Sequence, residues 1–451
     1  MNNIRTRFPP SPTGFLHVGG LRTALFNFLW AKKNNGQFIL RIEDTDRERF
    51  VEGATESIIK ILNDFGLTPD EGPNNGDFGP YIQSERLDIY KQHANQLIEQ
   101  NKAYAEETEK GTAIRFRMTK DGATSFDDMV YGHLEFQNSL IADPIILKSD
   151  GYPTYNFANV IDDHLMQISH VLRGEEFLPS TAMHIKIYES FGWAPPIFAH
   201  LPLILDFQRK KLSKRTGDVA VEEYVSKGYI KEAILNFIAL LGWNPKSTKE
   251  IFGMNELIQD FEIEKINKSG AIFDLTKLDY LNREWRRKLN LTAEEDPLYK
   301  RIISLKPDWD AKVLHSVWPQ IIERISGPSV LEDALPEFEF YFKSPEYKTE
   351  FLLWKKLTKE QAAENLKIMS SFLQDLLDSE KTLTKEELQS KTLQFIQKRG
   401  LPAGEALWPL RVALSGQKNS PSPFEIIETF ILTGSREEIF TRIDSAISKL
   451  R

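Results

Sequence analysis

At 451 residues, 41% hydrophobic and 27% charged, the chain is long enough for two to four domains with substantial cores. It has no cysteine, which excludes disulfides and thiolate metal sites. No apolar run approaches the roughly 18 to 20 residues of a membrane span, and residues 1–7 lead into a strand-like segment without the apolar core of a signal peptide, so a cytoplasmic location without membrane contact is expected. A formal net charge of −8 argues against indiscriminate nucleic-acid binding, yet it is compatible with local basic patches such as those at 209–215 and 283–288.

Residues 4–8 read as a short strand and 9–14 as a turn. Over 20–33 the apolar Leu21, Ala24, Leu25, Phe28 and Leu29 have the spacing of a core-facing helix, which Asn34-Asn35-Gly36 terminates. A second strand is expected at 38–42. After the acidic turn Glu43-Asp44-Thr45-Asp46 a second helix is expected to run to about Phe65, with Ile58, Ile59, Leu62 and Phe65 inward. This β-α-β-α order implies a parallel sheet whose ligands bind outside the carboxyl ends of the strands, where His17 and Glu43 stand.

From about residue 81 to 153 short, polar, strand-like segments such as 113–118 and 144–148 read as an insertion. Alternation of helix and strand resumes over 155–163, 165–173 and 180–191. Beyond Gly217 the chain is helical in character. Capping-box spacings recur at Thr292/Glu295, Thr358/Gln361, Thr384/Glu387, Ser422/Glu425 and Ser435/Glu438, and Leu366, Met369, Leu373 and Leu376 form a core stripe.

Two motifs carry chemistry. Pro9 and Pro10 stiffen the approach to a helix, Gly14 permits a tight turn, and Gly19-Gly20 leaves bare N–H groups where the helix begins, with His17 just ahead as a donor to a phosphate oxygen. The second is Arg209-Lys210-Lys211-Leu212-Ser213-Lys214-Arg215, a basic loop whose Lys211 and Lys214 suit charge that develops at the α-phosphate of ATP. Taken singly, the first is also compatible with an ordinary turn and the second with a solvated charge run. Together they point to ATP, with Mg²⁺ arriving on the nucleotide.

His17-Val18-Gly19-Gly20 resembles the first signature of the class I aminoacyl-tRNA synthetases, His-Ile-Gly-His, and Lys211-Leu212-Ser213-Lys214-Arg215 resembles the second, Lys-Met-Ser-Lys-Ser. The segments 8–14, 41–46, 83–86, 148–155 and 162–164 resemble the bacterial-type glutamyl-tRNA synthetases in particular. A glutaminyl enzyme would show Pro-Glu-Pro-Asn where Ser11-Pro12-Thr13 stands, and β-barrels where this chain has helices.

The resemblance implies a Rossmann-type α/β catalytic domain at 1–82 and 154–208, an inserted acceptor-end-binding subdomain at 83–153, a stem-contact domain at 209–290 and an all-α anticodon-binding domain at 291–451. It implies that Arg173 with Arg7 grips the γ-carboxylate of L-glutamate, with Tyr155 hydrogen-bonding nearby, Glu43 taking the α-ammonium, and Ser11 and Asn159 completing the lining. His17, Gly19, Gly20, Glu176, the backbone at Ile204, Lys211, Ser213 and Lys214 would serve ATP, with His17, Lys211 and Lys214 as the catalytic set. Partners would be tRNA(Glu), in a close variant also tRNA(Gln), and a monomer is expected. A relative that binds RNA without catalysis is the distant alternative, disfavoured by the intact His17, Lys211, Lys214 and Arg173. Arg115, Arg117 and Lys120, and the 283–288 cluster with Trp285, are candidate RNA surfaces. The chain departs from the signature at Gly20, where the consensus has His, and it has none of the cysteines of the zinc module some relatives carry, so no zinc is expected.

Overall fold

The helical stripe after the first turn becomes α1 (Val18–Lys33), which crosses from β1 (Arg5–Phe8) to its parallel neighbour β2 (Gln37–Leu40). The structure is a computed structural model describing residues 4–109, 111–212, 220–380 and 382–451. Leu21, Ala24, Leu25, Phe28 and Leu29 of α1 are all buried. The stop comes where expected because a Cβ at Gly36 would lie 2.1 Å from the Ile4 carbonyl oxygen, so only glycine lets the chain pass β1. α2 (Ala54–Asp64) begins later than the sequence suggested. Its N-cap, Gly53, is left-handed at φ 78°, and the buried apolar positions start only with Ala54 and Ile58, which leaves 47–53 as turns.

α3 (Leu87–Glu99) opens the insertion. β3 (Ala103–Thr108), β4 (Gly111–Phe116) and, further on, β7 (Ile145–Leu147) form an antiparallel sheet; β5 (Ala123–Asp128) and β6 (Gly132–Gln137) form a hairpin between them. After α4 (Tyr155–Leu165), the unit β8 (His170–Gly174), α5 (Leu178–Phe191) and β9 (Ile197–Leu201) makes a second parallel pair. The β5–β6 hairpin joins this pair through β9, giving the strand order β6-β5-β9-β8. β1 lies beside the start of β8, with Ser169 N donating to Arg5 O at 3.0 Å. The carboxyl ends of β1 and β8 therefore adjoin where chain order reverses, the crevice in which ligands of such sheets bind.

The two-residue strand β10 (Ile204–Leu205) then turns back on itself. Asp206 Oδ1 accepts from the N–H groups of Gln208 and Lys210, both at 2.9 Å, and Leu212 N donates to Ile204 O at 2.8 Å, which fixes Lys211 opposite Leu205. α6 (Val221–Ser226), α7 (Lys231–Leu240), α8 (Met254–Asp260), β11 (Ala271–Ile272) and α9 (Leu275–Leu289) follow. Their Tyr224, Phe237, Ile238, Phe261 and Phe273 share one apolar core with α1.

The chain divides by contacts into two units, Met1–Lys288 and Leu289–Arg451. The second is built of α10 (Pro297–Leu305), α11 (Ala311–Arg324), α12 (Leu331–Ala334), α13 (Lys359–Ser379), α14 (Lys385–Lys398), α15 (Ala403–Ser415), α16 (Pro423–Thr433) and α17 (Arg436–Leu450). Capping boxes form at Thr358, Thr384 and Ser422. The other two expected boxes do not. Ser435 precedes α17 without a side-chain cap, and Thr292 bonds Glu295 within a turn, while α10 is capped by Asp296 with Pro297 at its first position. The acidic, aromatic stretch 335–342 is largely core: Leu335, Phe338, Phe340 and Tyr341 are buried.

Candidate active site

A cleft of about 1080 Å³ opens at the carboxyl ends of β1 and β8. Its lining includes Arg7, Ser11, His17, Gly19, Gly20, Glu43, Tyr155, Arg173, Glu176, Ile204 and Lys211, which stand as far apart as 204 positions in the sequence. Pro10 O accepts from Glu43 N at 3.0 Å and Pro12 O from Val51 N at 2.9 Å, so the proline-rich turn is pinned to the segment after β2. His17 is the extended N-cap of α1. A Cβ at Gly19 would meet nothing within 4 Å, whereas one at Gly20 would lie 2.7 Å from Leu16 Cδ1, so a histidine at Gly20 would require Leu16 to yield.

Beneath the cleft runs a buried ionic network. Arg7 Nε donates to Asp163 Oδ1 at 3.1 Å, Arg41 Nη1 to the same oxygen at 2.7 Å, and Arg41 Nη2 to Glu43 Oε1 at 2.9 Å. Asp162 accepts from Gln83 at 2.8 Å, Arg86 at 2.7 Å and Tyr90 at 2.8 Å. Burial would raise the Asp163 carboxyl, but Arg7 and Arg41 hold it below the ordinary value. Glu43 has no such surplus of cations. Burial pushes it up to about 7 against the pull of Arg41. Among the described residues, Arg7 Nη1 and Nη2 are buried and have no hydrogen-bond partner. Leaving such donors unmade costs about 1 to 3 kcal/mol each, so the site is incomplete without an acceptor.

Arg173, at the end of β8, donates from Nε to His200 Nε2 at 3.1 Å, from Nη2 to Thr181 Oγ1 at 2.8 Å and from Nη1 to the Tyr155 hydroxyl at 3.4 Å. Burial lowers its affinity for the proton and Arg7 lowers it further. Tyr155 opens α4 and is itself raised by burial. At the other end of the cleft Lys211 Nζ lies 3.4 Å from Glu176 Oε1. A Cβ at Gly174 would fall 2.0 Å from Glu176 Oε2, so glycine is needed there for the carboxylate to fold back. Asn159 is not on the cleft surface; it is buried in α4, and its Nδ2 has no partner among the described residues. Ser213 and Lys214 lie outside the described residues.

The cleft also contains residues to which the sequence reading gave no role. Arg47, Arg49 and Lys148 line it, and Arg47 and Lys148 lie 5.6 Å and 5.7 Å from the Tyr152 ring. Arg22 lines it too, donating to Leu241 O at 3.2 Å and to Pro202 O, with burial lowering it to about 10. Asp163 was signalled only by the Asp-Asp-His triplet, because pattern reading cannot tell a buried counter-ion from a surface acid.

The candidate RNA surfaces are more neutralised than their sequences suggested. Arg115 pairs with Glu106 at 2.5 Å and Lys120 with Asp143 at 2.9 Å, while Arg117 stacks 4.8 Å from the Tyr104 ring. In the 283–288 cluster Trp285 is buried, donating to Asn236 Oδ1 at 3.0 Å, so the cluster presents charge without an exposed ring.

The family profile described as tRNA synthetases class I (E and Q), catalytic domain, matches residues 3–112 and 105–280, and that of an anticodon binding domain matches 291–447. Fold, cleft and profile together define a class I tRNA synthetase of that group. The chain is 41% identical to a glutamate–tRNA ligase of Clostridium botulinum (strain Eklund 17B / Type B), covering 99% of each, and 40% identical to one of Chloroherpeton thalassium, covering 99% of this chain and 98% of the relative. The crystal structure of a glutamate tRNA ligase from Elizabethkingia meningosepticum in complex with its amino acid superposes with a TM-score of 0.85 at 32% identity, over 100% of both chains. The chain belongs to the glutamate–tRNA ligase family. Among the described residues no helix is long and apolar enough to cross a membrane.

Proposed function

We propose that this chain activates L-glutamate with ATP to glutamyl-adenylate and transfers it to the 3′ end of tRNA(Glu), acting as a monomer in the cytoplasm. The observation that carries the amino-acid specificity is the pair of buried, unpartnered Arg7 nitrogens in a cleft that also holds Glu43 and Arg173. A γ-carboxylate fits that fork, with Arg173 and Tyr155 beside it, and the α-ammonium fits the under-compensated Glu43. Ser11 completes the polar lining, with Asn159 buried behind it in α4 rather than on the cleft surface.

The substrate's α-carboxylate attacks the α-phosphate, the bond to the β-phosphate oxygen breaks and pyrophosphate leaves. A hydroxyl of the terminal adenosine of the tRNA then displaces AMP. No side chain need become covalently attached. His17, Gly19 and Gly20 at the start of α1, with Lys211, Ser213 and Lys214, hold phosphates and balance the charge of the transition state, while Glu176 and the backbone at Ile204 face the rest of the nucleotide. Mg²⁺ bound to the triphosphate would add charge neutralisation; Glu176, beside Lys211, is one of the carboxylates lining the cleft that would be available to it. Segment 83–153 would receive the acceptor end, 209–290 the stem and 291–451 the anticodon.

The test is glutamate-dependent ATP–pyrophosphate exchange without tRNA, with tRNA(Glu) and with tRNA(Gln). Exchange with glutamate in the presence of tRNA(Glu) is expected, and no exchange in any arm would overturn the proposal. Glutamate transfer to tRNA(Gln), read in the third arm, separates an enzyme restricted to tRNA(Glu) from one that charges both.

A further inference from the structure

Arg173 is a buried cation held only by neutral groups. Among the described residues its partners are His200, Thr181, the Tyr155 hydroxyl, the Phe177 carbonyl and His184, with no carboxylate in direct contact. A guanidinium can only donate, so His200 Nε2 and His184 Nδ1, at 3.1 and 3.2 Å from it, must both present lone pairs. Each imidazole therefore needs its proton on the other nitrogen. For His184 the opposite nitrogen faces Asn156 Oδ1 at 2.9 Å. For His200 it faces Asp128 Oδ2 at 2.7 Å.

We infer that Asp128 and His200 are positioning residues for glutamate recognition: Asp128 fixes the His200 tautomer, and that tautomer holds Arg173 ready for the substrate's γ-carboxylate. Asp128 ends β5, on the inserted hairpin that joins β9, and is buried. It also accepts from the backbone N–H groups of His200, at 3.1 Å, and of Val130 and Tyr131, each at 2.9 Å. Burial would raise Asp128, but these bonds keep it ionised and acceptor-only, while burial keeps His200 neutral. The opposite tautomer would set two N–H groups against each other at 3.1 Å, across the Arg173 contact. By holding Arg173 through a neutral ring rather than a carboxylate, the arrangement leaves its charge for the substrate. A direct acidic partner would compete for it.

The inference rests on the reading that Arg173 meets the γ-carboxylate, which Arg173→Ala tests separately. Asp128→Asn keeps the shape and, with its one oxygen toward the Val130 and Tyr131 N–H groups, presents an amide N–H to His200 Nδ1, so it no longer dictates the tautomer. The measurement is steady-state pyrophosphate exchange with tRNA(Glu) present, for Asp128→Asn, His200→Gln, His200→Ala and the double variant of Asp128→Asn with His200→Gln. Loss of a well-directed bond to a charged group corresponds to a rise of roughly 10- to 100-fold in the glutamate KM, with the ATP KM changing less than about twofold. Gln offers Arg173 an amide oxygen without any tautomer, so His200→Gln should recover part of what His200→Ala loses, and adding Asp128→Asn to it should change nothing further. A glutamate KM unchanged by Asp128→Asn, effects that multiply in the double variant, or equal losses in Gln and Ala would each overturn the inference. Should Asp128→Asn not fold, the Gln and Ala pair still decides. An Arg173→Ala variant with normal glutamate KM would instead defeat the underlying reading; a raised KM there with a normal Asp128→Asn would defeat this inference alone.

Discussion

In the unit Met1–Lys288 the strands β1 and β8, the segment after β2, the turn before α3 and the helix α4 bring the buried Arg7, Arg173, Arg41, Arg86, Asp162 and Asp163 close together, whereas several buried polar side chains of Leu289–Arg451 finish secondary structure. Asp296 caps α10, Thr429 bonds back to Glu425 O at 2.8 Å, and Arg442 donates to Leu414 O at 2.6 Å. These three meet their partners within the fold, and the buried atoms left unpartnered in the helical unit, such as Thr392 Oγ1 and Trp309 Nε1, are scattered single groups. At the cleft, two nitrogens of one guanidinium, that of Arg7, are left without a partner among the described residues. Buried polarity that closes on itself serves stability, and a buried cation left open at a cleft serves a ligand.

The contrast is sharpened first at the basic loop. Lys214→Ala should lower the activation rate by roughly 10²- to 10³-fold, the size of losing one transition-state donor, while the glutamate KM changes little; equal losses in both would count against a transition-state role. In the helical unit Leu373→Ala should behave oppositely. Leu373 is fully buried in the α13 stripe, and its truncation should cost about 2 to 5 kcal/mol in denaturant unfolding without shifting the glutamate KM. Glu43 offers an intermediate effect. With its carboxyl at about 7, protonation below that pH removes the charge that attracts the α-ammonium, so kcat/KM for glutamate should fall about tenfold per pH unit on the acid side and level off above. Because the folded value is raised, this group's effect on folding runs the other way, its stabilisation being lost as pH rises toward 7. Glu43→Gln should abolish the acid limb. The smallest effect is expected at Thr384, whose Oγ1 accepts from Glu387 N at 3.3 Å at the start of α14; Thr384→Ala should cost about 1 kcal/mol and leave activity intact.

What could be read in the sequence follows the same division. The stripe Leu366, Met369, Leu373 and Leu376 and the caps at Thr358, Thr384 and Ser422 are local patterns, and local spacing suffices to find them. The spacing at Ser435 also matches, but that residue stands at ψ 37°, and its side chain caps nothing. In the catalytic unit the alternation placed β1, α1 and β2, and the resemblance gathered Arg7, Glu43, Tyr155 and Arg173 into one cleft. The roles of Asp163 and Asp128 were not legible. Asp163 is separated from Arg7 by 156 positions and Asp128 from His200 by 72; the Asp-Asp-His triplet marked Asp163 without giving it a partner, and nothing in the neighbours of Asp128 distinguishes it from a surface acid. The β5–β6 hairpin joins the sheet by a parallel step onto β9, a tertiary pairing that periodicity does not encode.

The most direct measurement is the dissociation constant of L-glutamate for the wild-type chain and for Arg7→Ala, taken with tRNA(Glu) and a non-reactive ATP analogue present, alongside the unfolding midpoints of both. Loss of a buried partner to a carboxylate corresponds to roughly 2 to 5 kcal/mol, so the expected result is glutamate binding weakened by at least about thirtyfold; because Arg7 also pairs with the buried Asp163, the unfolding midpoint should fall too, and affinity is read well below both midpoints. Unchanged affinity for glutamate in Arg7→Ala would contradict the claim that its two unpartnered nitrogens are the substrate's carboxylate site.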